Sequence, residues 1–86
     1  MDAKDKVTIL MEENDEYLMA DGFDDAIIGT VERFGIDPIV LYDKFKCIDI
    51  LMERHEMTED EAIDFFYYNV LGSWIGEYTP AFAETF

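Results

Sequence analysis

The chain has one cysteine and one histidine, Cys47 and His55, which are the residues that nucleophilic catalysis would use. A nucleophile of this kind is activated by a base within hydrogen-bond reach. On a predicted helix the two positions lie about 12 Å apart along the axis and about 80° apart around it. That separation is too large, so the sequence predicts no enzyme and no catalytic residue. We expect His55 at a helix end and Cys47 as a small apolar filler.

Three acidic side chains cluster near Gly22, namely Asp21, Asp24 and Asp25. Carboxylates bind Ca²⁺ or Mg²⁺, but an EF-hand loop needs an acid at position one, a ligand at three and glycine at six. With Gly29 sixth, Asp24 is first but Ala26 is third, and Gly22 fits no better. The sequence therefore predicts a solvated turn with no metal and no cofactor, and leaves weak, nonspecific cation binding open.

The charge of the chain is strongly unbalanced, with 21 Asp and Glu against six Lys and Arg and a net charge of −15. Half of the residues are apolar and 15% are aromatic, whereas a disordered chain is poor in both. We therefore expect one folded domain with its charge on the outside. Because a negative field repels nucleic acid and anionic membranes, we expect no direct binding to either, and basic proteins as partners.

Eight of the acids form ridges at helical neighbour spacing. They are Asp5, Glu12 and Glu16, then Asp49, Glu53 and Glu56, then Asp60 and Asp64. Like charges at this spacing cost a few tenths of a kcal/mol per pair, so the ridges either bind a basic partner or only keep the chain in solution. Mimicry of DNA is the most specific form of binding to a basic partner. One ridge is too sparse for it, since acids four apart repeat every ~6 Å and phosphates of one strand every ~3.4 Å.

The periodicity of apolar residues predicts the elements that position these side chains. A helix is expected over residues 4–19, with an early stop at Asn14 and Asp15 as an alternative. A strand over residues 26–34 is expected to pair with a second over residues 39–42, through a turn at Asp37 and Pro38. Two further helices follow, one capped by Asp43 and one opened by a capping box of Thr58 with Glu61.

These elements predict a single α+β domain over residues 1–86, in the order helix, β-hairpin, helix, helix. It divides into an acidic N-terminal helix (1–20), a core (21–80) and a tail (81–86) with two exposed Phe residues. An all-α bundle with an irregular segment over 21–42 is the alternative. The predicted core consists of Ile28, Val31, Val40, Phe45, Ile48, Met52, Phe65, Phe66, Val70 and Trp74.

An apolar patch is predicted near the C-terminus. If the last helix continues through Ile75, then Leu71 and Ile75 lie on the same side as Asp64 and Tyr68, away from the core. The tail, a second copy or a partner would then cover them. The sequence leaves a homodimer open.

Four stretches form a recognisable pattern from Asp21 onward. They read DGFDDA from Asp21, YDxxKCIxxLM from Tyr42, MTxxEA from Met57 and NVxGxWxGExTPxF from Asn69. In this pattern, which covers about three quarters of the chain, the sequence resembles a group of short, acidic, functionally uncharacterised proteins of tailed phages and some bacteria. Those relatives have a shorter N-terminal segment, so the resemblance does not support a role for Asp5, Glu12 or Glu16.

The resemblance implies a small viral accessory protein of the host cytoplasm, acting in host takeover as an inhibitor or a redirecting factor. A single cysteine fits a reducing compartment, and no segment has the pattern of a signal peptide or a membrane span. The leading expectation is thus a non-enzymatic phage protein that binds a basic host or phage protein through its acidic helix faces. The alternative is a structural or oligomeric component of the virion or its assembly, which would use the apolar patch.

Overall fold

A computed structural model describes residues 1–73 and 76–86 of the chain. The described residues form helices α1 (Ala3–Glu13), α2 (Lys44–Arg54) and α3 (Glu59–Phe65), and strands β1 (Ile27–Arg33), β2 (Ile36–Asp43) and β3 (Ala81–Ala83). A π-helix, Phe66–Leu71, continues α3, and a 3₁₀ turn, Asp24–Ala26, precedes β1. The predicted α+β fold and its element order are confirmed, and the all-α alternative is wrong.

The residues at the two ends of α1 explain where the helix begins and where it stops. Asp2 caps it by accepting the N–H of Asp5 at 2.9 Å, and Asn14 follows its end in an extended conformation with φ of −158°. The helix thus stops early, at Glu13, and not at residue 19. Glu16 consequently lies outside it, in a turn that the N–H of Tyr17 closes by donating to the backbone oxygen of Asn14, and Tyr17 is buried in the core.

Strands β1 and β2 are antiparallel and are joined through Phe34 and Gly35. Gly35 has a φ of +81°, a conformation that glycine adopts without steric cost, and the chain reverses there. The predicted turn at Asp37 and Pro38 is therefore wrong, since both lie inside β2. Pro38 cannot donate to a ladder, and it falls where the register shifts between the pairs Val31–Ile39 and Arg33–Ile36.

Strand β3 lies within the segment predicted as a tail. It runs parallel to β2, with Phe82 opposite Tyr42, and gives the sheet the order β1-β2-β3. The Phe82 ring lies 5.4 Å from that of Tyr42 and 5.1 Å from that of Phe66, centroid to centroid. Phe82 is thus half-buried, whereas Phe86 is fully exposed.

The core lies between the sheet, α2 and α3. Its buried side chains are Leu10, Tyr17, Phe23, Ala26, Ile27, Val40, Tyr42, Cys47, Ile48, Ile50, Leu51, Ala62 and Phe66. Three predicted core residues, Val40, Ile48 and Phe66, are among them, and Met52 and Val70 pack against them. Predicted core residue Trp74 lies outside the described residues.

Four predicted core residues are exposed instead: Ile28, Val31, Phe45 and Phe65. In β1 Ile27 faces inward, and the register shift between Ile27 and Gly29 reverses the alternation of faces beyond it, so Ile28 and Val31 both face outward. In α2 the buried side centres near Cys47 and Leu51, and Phe45 lies about 140° away from it around the axis. Where α3 ends and the π-helix begins, Phe66 takes the inward position, so Phe65 lies about 100° away from it around the axis.

Candidate functional site

The acidic surface is the first candidate site, and its eight predicted residues are all exposed. Asp5 and Glu12 lie on α1, Asp49 and Glu53 on α2, and Asp60 and Asp64 on α3. The predicted ridges are broken at Glu16, which follows the end of α1, and at Glu56, which follows α2 in a left-handed conformation with φ of 52°. Helices α1 and α2 therefore each carry two of their three predicted ridge residues, and α3 carries both of its own.

Few of the carboxylates are neutralised by neighbouring cations. The described residues, which include every charged side chain, contain two ion pairs: Lys44 with Glu84, at 2.6 Å, and Arg54 with Asp25. Lys6 is engaged elsewhere, because its Nζ donates to the backbone oxygen of Ile27 at 2.8 Å. Two of 21 acidic side chains are thus paired, and the other 19 leave the surface with a large excess of negative charge.

Lys44 is a mostly buried cation with a structural role that the sequence did not predict. Its side chain is 13% exposed and donates to Glu84 and to the hydroxyl of Tyr67, and Nζ lies 4.9 Å from the centroid of the Tyr67 ring. Its hydrogen bond to Glu84, then that to Tyr67, raises the pKa of Lys44. The contact fastens the C-terminal segment to the start of α2, and no local signal joins residues that are 40 positions apart.

The two residues first considered for catalysis lie in different environments. Cys47 is fully buried, and burial raises the pKa of its thiol to about 12, which leaves little of the reactive thiolate at neutral pH. His55 is exposed at the C-terminal end of α2, where its backbone N–H donates to the oxygen of Leu51. Within the described part of the chain, no three His, Cys, Asp or Glu side chains form a group that could hold a metal ion.

The predicted capping residues are confirmed. Asp43 accepts the backbone N–H groups of Phe45 and Lys46 at the start of α2. Thr58 and Glu61 form the reciprocal capping box of α3, and the hydrogen bonds that Glu61 receives there lower its pKa. Glu61 is consequently a fixed negative charge at the first turn of α3.

The apolar patch differs from the predicted one because the helix does not continue as an ordinary α-helix. The N–H of Gly72 donates to the oxygen of Tyr67, five residues earlier, and the helical segment ends at Leu71. Tyr68 is 83% exposed and Leu71 45% exposed, so both remain on the surface. The predicted patch residue Ile75 lies outside the described residues.

Beside this patch lies a shallow groove of about 380 Å³, here named the α3 groove. Its lining residues are Met57, Glu61, Asp64, Phe65, Tyr68 and Asn69. Phe65 is 39% exposed, because the neighbouring Phe66 takes the buried position. The groove thus joins apolar surface, two aromatic rings and two carboxylates.

No family model, curated protein or solved structure matches the chain. The resemblance to acidic phage proteins therefore stays a prediction. None of the described helices has the length and apolar character that a bilayer span requires.

Proposed function

We propose that the chain is a non-enzymatic phage accessory protein that binds a basic surface of a host or phage protein through its acidic helix faces. The observation that carries this proposal is the near absence of charge pairing on the described surface, where two of 21 acidic side chains have a basic partner. Exposed carboxylates that repel one another are relieved when a cationic surface approaches. The action proposed is host takeover in the host cytoplasm, by inhibiting or redirecting an enzyme.

The net charge of −15 supports binding through long-range attraction. A field of this sign raises the association rate with basic proteins and lowers it with nucleic acids or anionic membranes. The attraction is screened by salt over a Debye length of about 10 Å at 0.1 M. The proposal therefore requires affinity that falls steeply as salt rises.

Mimicry of DNA is the most specific form of the proposal. Asp49 and Glu53 on α2, and Asp60 and Asp64 on α3, are pairs four residues apart, which places each pair about 6 Å apart along its axis. Helices α2 and α3 pack against each other, so two such pairs lie on neighbouring helices. Two combined rows supply more carboxylates than the single row that is too sparse, and a DNA-binding enzyme is the corresponding target.

Affinity capture from the lysate of a bacterial host tests the proposal. The ridge variant carries Asp49→Asn, Glu53→Gln and Glu56→Gln. A matched control carries Asp15→Asn, Glu32→Gln and Glu77→Gln, which remove the same charge from exposed positions outside the ridges. We expect a basic protein to be captured by the wild type and the control and lost with the ridge variant. Capture that is indifferent to the ridge substitutions and to salt overturns the proposal.

A structural or oligomeric role is the second candidate, and the exposure of Tyr68 and Leu71 favours it. An apolar contact between copies would persist in salt, because burial of apolar surface is not screened. This role predicts an oligomer in light scattering that resists salt and dissociates in Leu71→Asp. A monomer at all salt concentrations rules it out.

A further inference from the structure

The α3 groove combines three kinds of surface within about two helical turns. Two rows start at Glu61 and end at Tyr68 in steps of three and four residues, one through Asp64 and the other through Phe65. The four side chains are therefore neighbours along one side. Tyr68 is 83% exposed and Phe65 39% exposed, although both are large rings that a monomer would gain by burying. The described ion pairs involve neither Asp64 nor Glu61.

An arginine side chain matches this combination. Its guanidinium is planar, stacks on aromatic rings and forms forked hydrogen bonds with a carboxylate, while its methylene groups cover apolar surface. A lysine ammonium supplies charge without the planar stacking. A second copy of this chain is a poor occupant, because two bodies of charge −15 repel each other.

The chain itself contains a related arrangement one residue away. Lys44 lies beside the ring of Tyr67 and donates to the Glu84 carboxylate, so an aromatic face and an acid together hold a cation. Tyr68 and Asp64 offer the same two groups, but on the exposed side of the helical segment and with no described cation against them. The π-helix Phe66–Leu71 carries Tyr68, and such helices occur frequently at functional sites.

We propose that the α3 groove binds an arginine side chain in a basic segment of the partner protein. The Tyr68 ring stacks on the guanidinium, Asp64 accepts its N–H groups, and Phe65 with Met57 contacts the aliphatic stem. This inference rests on the proposed function, since it names the part of the acidic surface that recognises the partner's side chain. It adds a preference for arginine over lysine, which charge alone does not produce.

Titration with two capped hexapeptides, one of six arginines and one of six lysines, tests the inference by amide NMR of the intact chain. The peptides carry equal charge, so their difference reports stacking and forked hydrogen bonding. We expect the arginine peptide to bind more tightly by a factor of up to about five, the value of a whole exposed cation–π contact, because lysine also forms part of that contact. The largest shifts should occur at Asp64, Phe65 and Tyr68.

Matched variants locate the effect. Tyr68→Ala should remove the arginine preference, and Asp64→Asn should reduce it. The controls Phe86→Ala and Asp15→Asn remove an exposed ring and an exposed carboxylate elsewhere, and should leave the preference intact. The amide spectrum of each free variant shows that the fold is retained, as the exposure of all four positions predicts.

Two results overturn the inference and are distinguishable from failure of the proposed function. If both peptides bind in a salt-dependent manner but Tyr68→Ala keeps the arginine preference, or the shifts centre on α2, the groove is not the site while acidic-face binding stands. If neither peptide binds even at low salt, the proposed function fails together with the inference.

Discussion

Removal of the Tyr42 hydroxyl tests how the segment between α1 and the sheet is held. Tyr42 is fully buried, and its hydroxyl accepts the backbone N–H of Ala20 at 2.7 Å. Tyr42→Phe keeps the ring and its contact with Phe82 but leaves that N–H without its acceptor. An unsatisfied donor in a protein interior costs about 1–3 kcal/mol. Because Ala20 is half-buried, we expect a loss of about 1.5 kcal/mol.

Urea unfolding followed by circular dichroism at fixed salt measures this change. For a domain of this size a loss of about 1.5 kcal/mol lowers the melting temperature by about 6–12 °C. Tyr68→Phe is the matched control, because it removes the same hydroxyl from a side chain that is 83% exposed, and it should change stability by less than about 0.5 kcal/mol. Equal stability of the two variants would refute the reasoning that the bond from Ala20 to Tyr42 holds the segment in place.

Three further predictions concern a thiol, a cap and the surface charge. Cys47, buried and with a pKa of about 12, should resist iodoacetamide at pH 8 and react fully in urea; rapid native alkylation, seen by mass spectrometry, would contradict its burial. The hydrogen bonds of the capping box lower the pKa of Glu61, so its stabilising effect is present above its ordinary value of 4.5 and is lost as pH falls through the lowered pKa. The stability difference between wild type and Glu61→Gln should therefore shrink from pH 7 to pH 3 in urea unfolding, and a constant difference would oppose this. The melting temperature should rise between low and moderate salt, since screening weakens repulsion among the carboxylates. If it does not rise, repulsion among the carboxylates does not destabilise the fold.

Elements with local signals were predictable from the sequence. Asp43 and the pair Thr58 and Glu61 are capping residues whose partners lie within three positions, so their types and spacing were sufficient. Gly35 was a comparable signal for the hairpin, but Pro38 suggested a later turn. The chain reverses at the glycine because only that residue adopts the left-handed conformation there at low cost.

Features that depend on distant partners were not predictable. Strand β3 forms because Phe82 packs against Tyr42 and Phe66, and a parallel pairing over 40 residues leaves no local pattern. The faces of β1 were offset because Ile27 and Ile28 are both apolar and β-branched, so alternation does not distinguish them.

The candidate site was predictable in part. An acidic exterior followed from composition, and Asp64 and Tyr68 were expected on one side of the last helix. The α3 groove also requires Phe65 on the surface. Which of Phe65 and Phe66 is exposed depends on how the helix is rotated against the core. Neighbouring phenylalanines give no sequence signal for that rotation, and the π-helix that follows was not predicted.

Binding through the acidic faces is tested most directly by the salt dependence of the dissociation constant of the captured complex. The measurement compares the wild type with the variant Asp49→Asn, Glu53→Gln, Glu56→Gln between about 50 and 300 mM NaCl. We expect wild-type affinity to fall steeply with salt, and the variant to bind more weakly with a shallower dependence. A dissociation constant that is the same for both proteins and insensitive to salt would contradict binding through the acidic faces.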